Sequence, residues 1–277
     1  MESERYGPTE MLGSTEVSTS PLIICFHGSG DSTASWRELA KLLASSYRVL
    51  LHDRGPSNPD PKASISWLLR YLAEMELEPP YVLIGHSYGG NFAREFLQQR
   101  TSEVVGMILA ETGQETALDP AMEALQYKRT ILGMKPLSVI RANSMIGKMK
   151  QLEEKMRDAQ GNEKLENEIR NGPEFAMVDA WDKEDERLKK QQLDLSKNSR
   201  YLHIPDCGHH VIRDRPDAVA EEVRWVMENC RNVPDNHEAM SPVAQIRKPF
   251  KLFSHKPHIP EKQSHGVIKK LWGKIMK

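Results

Sequence analysis

Apolar positions between residues 21 and 230 fall into two spacings that take turns along the chain. Short unbroken runs, Pro21 to Phe26, Tyr47 to His52, Tyr81 to Ile84, Val104 to Ala110, Pro136 to Ile140 and Arg200 to Ile204, read as strands, most of them buried on both faces. Between them lie stretches with helical spacing: Trp36 to Leu43, Ile65 to Leu77, Asn91 to Gln99, Pro120 to Leu132 and Pro216 to Cys230. Strands that alternate with helices predict an α/β fold, a parallel sheet with helices on both faces. Ser144 to Ser196 is longer and charged, with breaks at Gly161 and Gly172-Pro173, and predicts two or three helices inserted between strands. Residues 1–20 are polar and rich in turn formers, so they predict a loose arm or at most one short edge strand. No internal repeat is visible. The domain is therefore placed at 21–232, with an arm before it and a linker and basic segment at 233–277.

Composition narrows the class. With 277 residues, 39% hydrophobic and 28% charged, the chain can bury a sizeable core, and its longest apolar runs fall far short of a membrane span. The first residues, MESERYGPTEMLGS, lack the apolar stretch of a secretory signal, so a cytoplasmic protein is expected. Cys25, Cys207 and Cys230 are too few and too scattered for a disulfide framework or a zinc site, and no metal or cofactor is expected.

The net charge of −1 conceals an asymmetry, because Arg247 to Lys277 holds nine lysine and arginine residues against one acid, Glu261. Within that stretch Val267, Ile268, Leu271, Trp272, Ile275 and Met276 share one helical face. The pattern is a short basic amphipathic helix, suited either to weak contact with an anionic membrane surface or to docking on the domain. Nucleic acid is not an expected partner, since the basic residues are confined to the tail and no binding motif accompanies them.

The chemistry gathers at Gly85-His86-Ser87-Tyr88-Gly89, a G-x-S-x-G turn between the strand at Tyr81 and the helix at Asn91. A sharp strand-to-helix turn crowds the backbone, so Gly85 and Gly89 fall where a Cβ would strike neighbouring elements, and Gly90 relieves the same crowding. Ser87 is thereby lifted above the sheet, beside a helix amino terminus that favours a developing oxyanion. In open α/β sheets the site lies beyond the carboxyl ends of the strands, and the polar residues there are His27 to Ser29, Asp53, Ser87, Glu111, Asn143 and His209. A serine needs a base to take its proton, and the base needs a third group to fix its tautomer. His209 is the candidate base, favoured over His210 because it directly follows Gly208 on a turn. The backbone N–H groups of Tyr88 and Ser29 are the candidate oxyanion donors.

Taken in order, Cys25-Phe26-His27-Gly28-Ser29-Gly30, the elbow Gly85 to Gly90, and Gly208-His209-His210 with Asp214-Arg215-Pro216 resemble the α/β-hydrolase superfamily over roughly residues 20 to 230. The resemblance implies an eight-stranded, mostly parallel sheet with a helical lid, here at about 114–134 and 144–196. The first 20 residues look too short for the family's first two strands, so a truncated edge is expected. It also implies a Ser, acid, His order. The family usually carries the acid after the strand that ends here at Ile140, yet Arg141-Ala142-Asn143-Ser144 contains no carboxylate. Some members carry it one strand earlier, and Glu111 stands there. Asp179, Asp182 and Asp185 are alternatives that read more readily as the solvated face of a lid helix. The implied activity is a serine hydrolase acting on a small-molecule acyl substrate, an ester, thioester or lactone. An acyltransferase with the same residues, or a non-catalytic ligand-binding relative, are the other readings. Met145, Met149, Met156, Phe175, Met177 and Trp181 are candidates to line an acyl pocket, or ordinary core.

Overall fold

The computed structural model describes residues 9–13, 20–54, 59–113 and 117–230, all within the first of the chain's two units, Met1–Pro234. The basic tail and much of the amino-terminal arm lie outside the described residues. In chain order the elements are β1 (Glu10–Leu12), β2 (Leu22–Phe26), α1 (Arg37–Ala44), β3 (Val49–His52), α2 (Pro61–Glu74), β4 (Tyr81–His86), α3 (Gly89–Gln99) and β5 (Val104–Ala110). They continue with α4 (Pro120–Arg129), β6 (Gly133–Ala142), α5 (Ile146–Asp158), α6 (Glu163–Arg170), α7 (Pro173–Gln192), β7 (Ser196–Ile204), α8 (Val211–Asp214) and α9 (Pro216–Asn229).

The strands form one seven-stranded sheet in the order β1-β3-β2-β4-β5-β6-β7. β1 runs antiparallel to β3 and every other pairing is parallel. The short edge strand expected near the amino terminus is β1. The alternate residues of each strand enter different cores, as a pleated sheet requires. Ile23, Cys25, Val82 and Ile84 join Trp36, Leu39, Val219 and Val223 from α1 and α9 and the turn before α1. Leu22, Ile24, Leu83 and Leu109 join Ile65, Leu68, Phe92 and Phe96 from α2 and α3.

β6 and β7 are longer than the apolar runs that announced them. β7 pairs with β6 from Ser196 onward, and as an edge strand it keeps one side wet, so its first residues are polar. The insertion between β6 and β7 forms three helices, with Gly161 and Gly172-Pro173 at the breaks. Among the described residues no helix is long and apolar enough to cross a membrane.

This order fixes where a site can lie. After β2 the chain passes over one face through α1 to β3, whereas after the adjacent β4 it leaves over the opposite face through α3. The diverging connections leave a crevice at the carboxyl ends of β2 and β4, which is the switch point of an open α/β sheet.

Candidate active site

Ser87 stands at that switch point, in the left-handed region at φ 51°. Its N–H still bonds the carbonyl of Ala110 at 3.0 Å, so the residue closes β4 and opens the turn at once. The glycines around it are sterically required. A Cβ on Gly89 would lie 2.0 Å from the Phe26 carbonyl oxygen, and one on Gly85 would lie 2.9 Å from Cα of Gly90. One on Gly90 would strike the Thr112 side chain at 2.7 Å. The first turn of α3 is thus pressed against the end of β2, which brings His27-Gly28 beside the elbow. A Cβ on Gly28 would lie 3.3 Å from that of Ser87.

The turn after β2 is held by a residue that sequence reasoning passed over. The Arg54 side chain is buried, and its guanidinium donates to the carbonyls of His27 and of Gly28, the latter at 2.6 Å. It also lies over the ring faces of Phe92 and Tyr88, at 4.7 and 5.6 Å from their centroids. Burial lowers its pKa to about 10, so it stays charged at neutral pH. The neighbouring histidines are shifted in the same direction, which leaves them neutral. Burial, then the charges of His27 and Arg54, lowers His52 to about 3, and burial followed by Arg54 also lowers His27. The only legible signal for Arg54 was its place directly after Asp53 at the end of a strand.

Glu111 ends β5 as Ser87 ends β4, in the left-handed region at φ 54° with its N–H on the Ile140 carbonyl at 2.9 Å. Its carboxylate is fully buried. Oε1 accepts from the Ala142 N–H at 2.7 Å and lies 3.4 Å from Nζ of Lys189. Oε2 accepts from the Ser144 hydroxyl at 2.5 Å and lies 3.1 Å from Nδ1 of His209. Burial opposes ionisation, but Lys189, His209 and Ser144 outweigh it and hold the carboxyl well below the ordinary range. The end of β6 and the segment after it, where the family's usual acid would stand, instead supply Ala142 and Ser144 as partners of Glu111.

His209 follows Gly208 in the loop beyond β7. Its carbonyl accepts from Nε2 of His86 at 2.8 Å, and the two rings lie 5.1 Å apart, which ties the loop to the elbow. Burial and the nearby His209 lower His86 to about 4, so it is neutral and can serve as that donor. Asn143 accompanies the loop through its N–H on the Cys207 carbonyl at 2.7 Å. His210 lies further from His86, with ring centroids 6.5 Å apart, and is 5.7 Å from His209.

Of the alternative acids, Asp179 and Asp182 are half exposed, as a solvated helix face predicts. Asp185 is a correction. It is 3% exposed and bonds Nζ of Lys189 and, at 2.9 Å, Nε of Arg141, so α7 turns it inward to meet two cations. Met145, Leu152 and Val178 form a small core between α5 and α7, packed by Met149, Met177 and Trp181. Beside it Met149, Leu152, Met156, Phe175 and Val178, with the acids Glu153, Asp179 and Asp182, line a cavity of about 360 Å³ whose walls include none of Ser87, Glu111 and His209. Among the described residues no group of three or more His, Cys, Asp or Glu side chains is placed to hold a metal ion.

Comparison with known proteins bears on the class. The profile of the Alpha/beta hydrolase family matches residues 23–222. An AB hydrolase superfamily protein of Gibberella zeae is 22% identical, over 76% of this chain and 87% of its own length. A probable transporter, efuK, of Hormonema carpetanum is 20% identical over 91% of this chain, which spans 44% of that protein's length. In fold, MenH from S. aureus superposes with a TM-score of 0.50 at 14% identity, over 81% of this chain and 99% of its own. A lipase-esterase related protein from Clostridium acetobutylicum gives 0.50 at 14% identity, over 80% and 99%. With the seven-stranded sheet in place and a family match that runs through the elbow, Glu111 and His209, this chain belongs to the α/β-hydrolase family.

Proposed function

We propose that the chain is a serine hydrolase that cleaves a carboxylic ester, thioester or lactone through Ser87, His209 and Glu111. The observation that carries this reading is the 3.1 Å contact of His209 Nδ1 with a buried carboxylate, on a loop bonded to the elbow histidine. A carboxylate at Nδ1 fixes the tautomer that leaves Nε2 free to accept a proton, and it stabilises the imidazolium that follows. Ser87 Oγ attacks the acyl carbonyl carbon as its proton passes to His209. The tetrahedral oxyanion collapses, the leaving group departs with that proton, and the acyl group stays on Ser87. Water, deprotonated by His209, then releases the acid and restores the serine.

The N–H groups of Ser29 and Tyr88 are the oxyanion donors in this scheme, each worth about 3 kcal/mol of barrier. Arg54 supports that role for Ser29. A trans peptide points its C=O and N–H in opposite directions, so a Gly28 carbonyl held by Arg54 turns the Ser29 N–H away from the guanidinium. The helices at 144–196, with 114–134, serve as the lid in this scheme. The division into an arm at 1–20 that contributes β1 to the sheet, a hydrolase domain at 21–232 and a basic segment at 233–277, suited to weak contact with an anionic membrane surface or to docking on the domain, belongs to the same proposal.

The test is labelling of the purified full chain by a fluorophosphonate probe. Wild type is expected to label and Ser87→Ala to lose the label entirely. A folded wild-type chain that takes no label, or a Ser87→Ala variant that labels as well as wild type, would remove Ser87 from the chemistry. Product analysis with a short-chain aryl ester then separates hydrolysis from acyl transfer to an added alcohol.

A further inference from the structure

Lys189 of α7 has a side chain only 1% exposed. Lysines are almost never buried so fully unless paired, because an ammonium taken out of water must be matched by opposite charge. Its partners are two carboxylates. Nζ hydrogen-bonds Asp185, one turn earlier in the same helix, and lies 3.4 Å from Oε1 of Glu111. Asp185 also takes Nε of Arg141 at 2.9 Å, and Arg141 reaches the half-exposed Asp182. Charges therefore alternate in sign from Glu111 in the interior to Asp182 at the surface.

The two oxygens of Glu111 have separate duties. Oε1 is taken by Lys189 and the Ala142 N–H, which leaves Oε2 to Ser144 and His209. A second contact seats the same helix on the same corner. Thr112, directly after Glu111, donates its hydroxyl to Oε1 of Gln192 at 2.9 Å, and a Cβ on Gly113 would lie 2.2 Å from the Gln192 amide nitrogen.

We propose that Lys189 is the positioning residue of Glu111: its ammonium, carried in by α7, fixes one carboxylate oxygen and so turns the other to Nδ1 of His209. The proposal deepens the serine-hydrolase reading and rests on it. Because α7 belongs to the insertion between β6 and β7, seating of that insertion and readiness of the acid become a single event. The groups that face Glu111 are Lys189 from α7 with Asp185 behind it, His209 and Cys207 from the loop after β7, and His86 from the elbow. Lys189 is the group whose charge favours the ionised Glu111 carboxylate most, so its loss makes protonation of Glu111 easier.

The experiment compares the full wild-type chain with Lys189→Met by two readouts. One is the pH dependence of the rate at which a fluorophosphonate labels Ser87. The other is the side-chain carboxyl ¹³C resonance of Glu111, assigned with Glu111→Gln. In Lys189→Met the acid limb of labelling is expected to move up by about one pH unit, with a corresponding loss of about tenfold on that limb. The Glu111 resonance is expected to titrate in the range of ordinary carboxylates, where wild type keeps its ionised position. Should the single variant not fold, Lys189→Met/Asp185→Leu removes both members of that ion pair, leaves Arg141 its contact with Asp182, and is expected to show the same displacement. A folded variant with the wild-type limb and Glu111 ionised throughout overturns the proposal, even if its melting temperature has dropped. Failure of the serine-hydrolase reading looks different, because wild type then takes no label while the Glu111 resonance still decides what Lys189 does.

Discussion

At the ends of β2 and β4 the backbone is fixed by carbonyls that converge on one guanidinium, and at the ends of β5 and β6 a carboxylate is fixed by an ammonium from a distant helix. The first corner is local and steric. Gly85 and Gly89 stand where a Cβ would meet backbone, and Arg54 lies two residues beyond β3, the strand beside β2. The second corner is assembled from afar, with Ala142, Ser144, Lys189 and His209 all converging on Glu111 from later elements. The contrast teaches that a turn can be written into a few adjacent residues, whereas a buried charge can be matched only by tertiary structure.

The sharpest way to break this contrast is Glu111→Gln. It keeps the shape of the acid and removes its charge, and by analogy with other hydrolase triads it should cost on the order of 10⁴ in turnover of an aryl ester, with the fold retained. Equal losses from Asp182→Asn would dissolve the distinction between the buried and exposed ends of the charge chain. On the other corner, Arg54→Met leaves two carbonyls short of a donor and lets the turn after β2, with its proposed oxyanion donor Ser29, drift. A loss of about 10²-fold in turnover is expected, together with a lower melting temperature. Activity near wild type in a folded Arg54→Met would mean that the glycines alone aim the turn.

Acid should act on the first corner through its histidines. His86 and His52 have folded pKa values lowered to about 4 and about 3, so each takes a proton far more readily when unfolded. Stability is then unaffected above the unfolded value, about 6.5, and falls as pH drops from there towards 4. While both remain neutral in the fold, the slope is up to about 1.4 kcal/mol per pH unit for each, readable from urea midpoints. Glu111 has its folded pKa depressed, so its contribution is present above about 4.3 and is lost only as pH falls further. A His52→Phe variant should flatten part of the slope between pH 6.5 and 4; an unchanged slope would assign it to other groups. The smallest effect belongs to Asp182→Asn, expected to lie within about 1 kcal/mol of wild type in stability because the pair ends in solvent.

The sheet could be read from spacing alone because β2, β4 and β5 are buried on both faces and so carry unbroken apolar runs. β7 was read short because an edge strand needs no such run. The elbow was legible for a similar reason, since Gly85, Gly89 and Gly90 record crowding that any side chain would violate, whereas Gly208 of the histidine loop has room for a Cβ and was legible through its place after the last strand. Glu111 could be named only through the order of the family's residues, and nothing near it in the chain shows that its partners are Ser144 and Lys189. Asp185 and Lys189 sit in a helix whose other Asp, Glu, Lys and Arg residues face solvent. At helical spacing a charge that turns inward looks the same as one that turns out.

Ser87 and Glu111 share a conformation that side-chain-bearing residues avoid, at φ 51° and 54°, each held by an N–H still bonded to the neighbouring strand. Glycine would occupy either position at lower energy, by roughly 1 kcal/mol. A selection scheme that scored this protein on heat resistance alone would therefore be drawn to replace these two residues, and its improved variants would be the ones that had lost the proposed chemistry.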